Sequence, residues 1–167
     1  MLLALFAAAA LAADPADDAA RLKESLGKWE KAKVGCGGDY SYTTGFTSAF
    51  GFGSVTTVTV TGNKVTGRKY ETFKTENGKR VTKEEWSEAG KDVGTHKDGA
   101  PAKTLDELYA EAKKVCAGKV ADGHVRSLGF DKAGLLAYCY TRDTRVADDA
   151  PLAGVPPLTL TLKAKEK

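Results

Sequence analysis

Three cysteines and two histidines hold most of the nucleophilic and metal-ligating capacity of this 167-residue chain. Cys36 sits among Gly35, Gly37 and Gly38, where it would be an exposed thiol. Beside a histidine, such a thiol could act as the nucleophile of a small thiol enzyme or hydrolase. His96 and His124 are separated by the whole second helix, and neither has another histidine or a cysteine two or four residues away. Metal binding therefore has no sequence support, and a surface or capping role suits both rings.

The acidic residues point to charge patterning more than to acid–base chemistry. Asp143, Asp148 and Asp149 precede Pro151 but lack the alternating oxygen-ligand spacing and closing Glu of a calcium loop. Glu84, Glu85 and Glu88 alternate with Lys83 and Lys91 as a solvated face would. No serine elbow, phosphate loop or dinucleotide fingerprint occurs. Catalytic and metal sites are therefore not expected, and neither is a cofactor.

A binding surface is the stronger candidate. Phe46, Phe50 and Phe52 lie beside Gly45, Gly51 and Gly53. Either the three rings complete a core under a sheet, or they form an exposed apolar patch of the kind that contacts a protein, peptide or envelope ligand.

Several elements must hold these residues in place. Leu2 to Ala12 is an uninterrupted apolar run ending in Ala10-Leu11-Ala12, the form of a signal peptide cleaved after Ala12. It is about half the roughly 20 residues that a membrane-spanning helix requires, so no transmembrane anchor is expected from it. Residues 13–167 then form a single domain, exported to the periplasm or secreted. Lys and Arg number 25 against 22 Asp and Glu, a formal charge of +3. Because the two signs are interleaved between Lys64 and Lys97, nucleic-acid binding is not expected.

Asp14-Pro15 opens a helix with Leu22, Leu26 and Trp29 on one face, closed by the glycines around Cys36. The period then becomes two. Tyr40 and Tyr42 mark one strand, and Val58 and Val60 alternate with threonines in another. Gly62-Asn63 and Asn77-Gly78 mark hairpin turns, the second with Glu76 facing Lys79. The segment from Thr82 to Gly90 fits either a strand or a capped helix, and Lys91 to Lys103 reads as a loop. Thr104 and Glu107 form a capping box ahead of an apolar stripe through Leu105, Leu108, Tyr109, Ala112 and Cys116. Strands over His124–Phe130 and Leu135–Arg142 follow, and Leu158, Leu160 and Leu162 alternate with threonines in the last. The order predicts an α+β fold, with an antiparallel sheet of about five to seven strands and two helices packed on one face.

Cys116 on the helix and Cys139 in a core strand could form a disulfide contributing about 3 kcal/mol on the loop-entropy account. Cys36 competes for either partner, and three buried free thiols are the alternative.

With Tyr40-Ser41-Tyr42 after a Trp-bearing helix, and Thr104-Leu105-Asp106-Glu107-Leu108-Tyr109 opening the second, the chain resembles exported bacterial domains of unknown function. The arrangement is also similar to PepSY-like and β-lactamase-inhibitor-like proteins. That resemblance implies binding or inhibition without catalysis, and it carries over no individual residue.

Overall fold

A computed structural model describes residues 15–146 and 151–163. The apolar run at Leu2–Ala12, along with Asp148 and Asp149, lies outside the described residues. Helix α1 spans Pro15–Gly35 and carries Asp17 and Asp18 in its first turn, where carboxylates complement the helix dipole. It ends where Gly37 and Gly38 take φ of 65° and 77°, and Gly38 N–H closes back on Lys33 O at 3.0 Å. Helix α2 spans Leu105–Ala117 behind the expected capping box, formed in both directions between Thr104 and Glu107. We expect Thr104→Ala to lower the unfolding free energy by about 1 kcal/mol in a denaturant titration, with the m-value unchanged.

The strands are β1 (Tyr40–Thr47), β2 (Phe52–Thr61), β3 (Lys64–Glu76), β4 (Lys79–Ala89), β5 (His124–Phe130), β6 (Leu136–Asp143), β7 (Ala153–Val155) and β8 (Leu158–Leu162). Both expected turns are present. Gly62 and Asn63 have φ of 56° and 63°, Asn77 and Gly78 φ of 51° and 74°, and Glu76 faces Lys79. Left-handed residues at both positions match the twist of the flanking strands. The ambiguous segment from Thr82 is strand, carried by its ladder to β3.

The strands do not form one sheet. They form two antiparallel sheets, one of five strands in the order β4-β3-β2-β1-β8 and one of three in the order β5-β6-β7. The split falls at Pro156-Pro157, between β7 in the small sheet and β8 in the large one. Two successive residues without N–H cannot continue a ladder, so the chain leaves one sheet there and joins the other. The expected helices on one face are accordingly only part of the arrangement, because α2 packs against β6 and β7 of the small sheet and meets the large sheet at Tyr40.

The helices run antiparallel, with Lys33 salt-bridged to Asp106 at 2.9 Å and Ser25 bonded to Tyr109 at 2.7 Å. Trp29 is fully buried, edge-on to Tyr40 of the large sheet at 5.0 Å, and it donates to Asp106 at 2.8 Å. Three tyrosines join the layers. Tyr40 Oη accepts from Leu105 N–H at 2.8 Å, satisfying a donor in the first turn of α2. Tyr42 Oη donates to Lys103 O at 2.7 Å, and Tyr109 Oη accepts from Leu136 N–H of the small sheet at 2.9 Å. Burial pushes Tyr40 up to about 12, and hydroxyls so placed stay protonated donors and acceptors.

The disulfide expectation is corrected. Cys116 and Cys139 do meet across α2 and β6, but their sulfurs are 3.7 Å apart, in hydrogen-bonding and not covalent contact. Cys36 is a free buried thiol that donates to Lys33 O at 3.5 Å. Desolvation raises both thiols of the pair, Cys139 to about 12. Alkylation of the native protein is therefore expected to be slow at neutral pH and to reach three labels only after unfolding.

Candidate functional site

The structure brings Phe46, Phe50 and Phe52 together at the end of the β1–β2 hairpin, and it leaves all three in solvent. They are 57%, 86% and 47% exposed. Register explains why. On the core-facing side of the large sheet, Tyr42, Val58, Arg68 and Glu88 form one cross-strand row. Thr44, Thr56, Tyr70 and Trp86 form the next row, and Phe46, Ser54, Thr72 and Glu84 the one beyond. The first row lies beneath the segment between β4 and α2, where Tyr42 donates to Lys103 O, Arg68 donates to Ala100 O, and Glu88 accepts from Gly94 N–H. The second is reached by the loop after β4, where Ala100 N–H donates to Thr56 Oγ1 at 2.9 Å. Cover ends there, so Phe46 in the third row and Phe52 just beyond it, on the face that is core elsewhere, are exposed.

The rings are held in place. Phe46 and Phe52 meet edge-to-face with centroids 6.3 Å apart. Ser48 N–H donates to Phe52 O at 2.7 Å, Gly51 N–H to Ser48 O at 2.9 Å, and Phe50 N–H to Ser48 Oγ at 3.2 Å. Thr75 N–H on β3 then ties the tip down through Gly51 O at 2.6 Å. Gly53 makes the close strand approach possible. A Cβ there would stand 2.2 Å from Phe46 O and 2.7 Å from the Phe73 ring on the opposite face. Phe50 is thus a nearly bare aromatic ring on a hydrogen-bonded turn.

Beside the rings lies an open sheet edge. β8 pairs with β1 only from Tyr40 to Thr44, whereas β2 pairs along the whole of β1. Gly45, Phe46 and Thr47 therefore have a strand on one side only. A cleft of about 290 Å³ lies there, between Phe46 and Val55 on one side and Pro157 to Thr159 on the other. The outer strands of this sheet are β8 and β4, and β4 carries exposed Lys79, Arg80, Lys83, Glu84 and Glu85. Charges of that density protect an edge from added strands, and Gly-Phe-Thr has no such protection.

The remaining candidates are placed elsewhere. Cys36 is 5% exposed and contacts neither histidine by hydrogen bond. His124 Nδ1 lies 3.2 Å from Asp122 O. Asp143 is occupied by Arg145, whose guanidinium bonds both carboxylate oxygens at 2.9 and 2.7 Å and holds it well below the usual carboxylate range. Among the described residues no three His, Cys, Asp or Glu side chains gather as a metal site. No described helix is long and apolar enough to cross a membrane.

One cluster was not evident from sequence spacing. Glu88 is buried and paired with Arg68, which donates to both of its oxygens at 2.9 and 3.0 Å. The same carboxylate accepts from Gly94 N–H at 2.7 Å, His96 N–H at 2.5 Å and Thr95 Oγ at 3.2 Å, and it lies 2.9 Å from His96 Nδ1. The His96 ring stacks on Trp86 at 4.2 Å, and Trp86 on Tyr70 at 5.4 Å. A carboxylate with so many donors has no lone pair left for a substrate. The cluster folds the loop after β4 back over the sheet and so sets where the cover of the phenylalanines stops.

Comparison with protein families, curated proteins and solved structures finds no match to this chain.

Proposed function

We propose that this chain is an exported, non-enzymatic binding module that takes an extended peptide segment of a protein partner onto the open edge of β1. The observation that carries the reading is the coincidence of an unguarded edge at Gly45–Thr47 with three exposed aromatic rings on a fixed turn. A strand added there gains main-chain hydrogen bonds from the edge, while side chains on alternate residues meet the rings. Rigid aromatic groups suit the task because they supply contact area with little loss of rotamer freedom. The signal-like run at Leu2–Ala12 supports a place outside the cytoplasm.

Selection of a displayed random dodecapeptide library on the immobilised protein tests the proposal. Peptides that alternate apolar and polar residues are expected to enrich, and to be lost when Phe50 and Phe52 are replaced by serine. Failure to enrich any peptide, or enrichment indifferent to those replacements, would sink the reading.

A further inference from the structure

A second apolar concavity lies away from the β1 edge, in the groove between α1 and α2. Its volume is about 580 Å³, within the range of small-molecule sites. Leu22, Leu26, Tyr109 and Cys116 form the floor. Along α2 the wall is Ala110 and Ala117, residues too short to close the gap between the helices. The lining reaches from Ala19 to Leu26 on one helix and from Asp106 to Ala117 on the other, a length of about 11 to 17 Å at the rise of an α-helix. The space is therefore long, narrow and almost wholly apolar.

Its rim is cationic. Lys23 on α1 and Lys113 on α2 both border the groove, and neither joins an ion pair among the described residues. The one acid on the lining, Asp106, is neutralised by Lys33 at 2.9 and 3.0 Å. Two unpaired ammonium groups at the border of an apolar channel complement a single-chain amphiphile with an anionic head. A quaternary ammonium head would be repelled, and a two-chain lipid would need a wider space than one helix–helix groove offers.

We propose that this groove binds one medium-length fatty acid, its chain lying between α1 and α2 and its carboxylate held by Lys23 and Lys113. The lysines act through charge and hydrogen bonding at the surface, so they contribute selectivity more than affinity. Burial of the chain against Leu22, Leu26 and Tyr109 supplies most of the binding. The inference is independent of the β1 edge, which lies on a different element.

Calorimetric titration of the full chain with dodecanoate, below its micellar concentration, tests the proposal against dodecyltrimethylammonium, which has the same chain and the opposite charge. One dodecanoate per chain is expected, bound at least tenfold more tightly than the cationic amphiphile. Lys23→Glu with Lys113→Glu should weaken dodecanoate about tenfold and reverse the preference, and Ala110→Trp should abolish binding of both. Lys23, Lys113 and Ala110 are all exposed, so these variants should keep the wild-type far-ultraviolet circular dichroism. Absence of dodecanoate binding, equal affinity for the two amphiphiles, or binding unchanged in Ala110→Trp would each overturn the proposal.

Discussion

Glu88→Ala is expected to be among the most destabilising single substitutions in the protein, lowering the unfolding free energy by about 3–5 kcal/mol, because it leaves a buried guanidinium without its counter-ion. The Arg68 and Glu88 side chains are 3% and 1% exposed, so water cannot replace the lost partner without opening the sheet. The damage extends beyond the pair. Gly94, Thr95 and His96 all depend on the same carboxylate, so the amides of Gly94 and His96 should lose hydrogen-exchange protection at a lower denaturant concentration than the β2–β3 ladder. Uniform loss of protection across the sheet would show that the cluster stabilises the fold without holding the loop.

The same carboxylate sets a pH dependence. The Arg68 guanidinium, first among several donors, holds Glu88 well below the usual carboxylate range in the folded protein. A depressed folded value means that the contribution is fully present above the unfolded carboxylate value of about 4.3 and is lost as pH falls below it. Denaturant midpoints should therefore drop between roughly pH 5 and pH 2, and the drop should be shallower in Glu88→Gln, which has no proton to take up. An equal drop in the variant would assign the acid sensitivity to other carboxylates.

Replacement of Phe46, Phe50 and Phe52 together by serine is expected to weaken binding of a selected peptide by a factor of at least about 30, the scale of an interface hot spot of about 2 kcal/mol. Stability should change little. Rings this exposed bury only part of their area in the folded chain, so each replacement should cost less than a core truncation does. Separation of the two effects is the informative result. A variant that loses binding and stability together would mean that the rings support the hairpin and are not its contact surface.

Most elements were legible in the residues. Thr104 and Glu107 announce the start of α2, Gly62-Asn63 and Asn77-Gly78 announce two turns, and alternating valines and threonines announce β2, because each signal is local. What the sequence left open depends on contacts between distant residues. β8 pairs with β1 across more than a hundred residues, so nothing near Leu158 indicates that the last strand joins the first and leaves β5, β6 and β7 as a separate sheet. Pro156-Pro157 lies at the break between β7 and β8, and a proline pair alone does not identify which sheet follows it.

The same division holds at the candidate site. Sequence places three phenylalanines among glycines but cannot tell a core row from an exposed one, since Phe46 and Phe52 fall on the same face as Tyr42 and Val58. Their exposure depends on where the loop held by Glu88 stops covering the sheet. Glu88 itself reads as part of a charged face because Glu84, Glu85 and Glu88 are interspersed with Lys83 and Lys91. A cross-strand partner at Arg68 changes its role. Cys116 and Cys139 stand on facing elements, as their places on the helix stripe and in the core strand predict, yet adjacency does not make a bond, and their sulfurs remain separate.

The account rests on the edge of β1, and amide-resolved hydrogen exchange with and without a selected peptide tests it most directly. Binding at that edge predicts new protection at Gly45 and Thr47, the amides that face away from β2, with the guarded edge at β4 unchanged. Protection appearing along β4 or over α1 and α2, with the β1 amides exchanging as before, would contradict it.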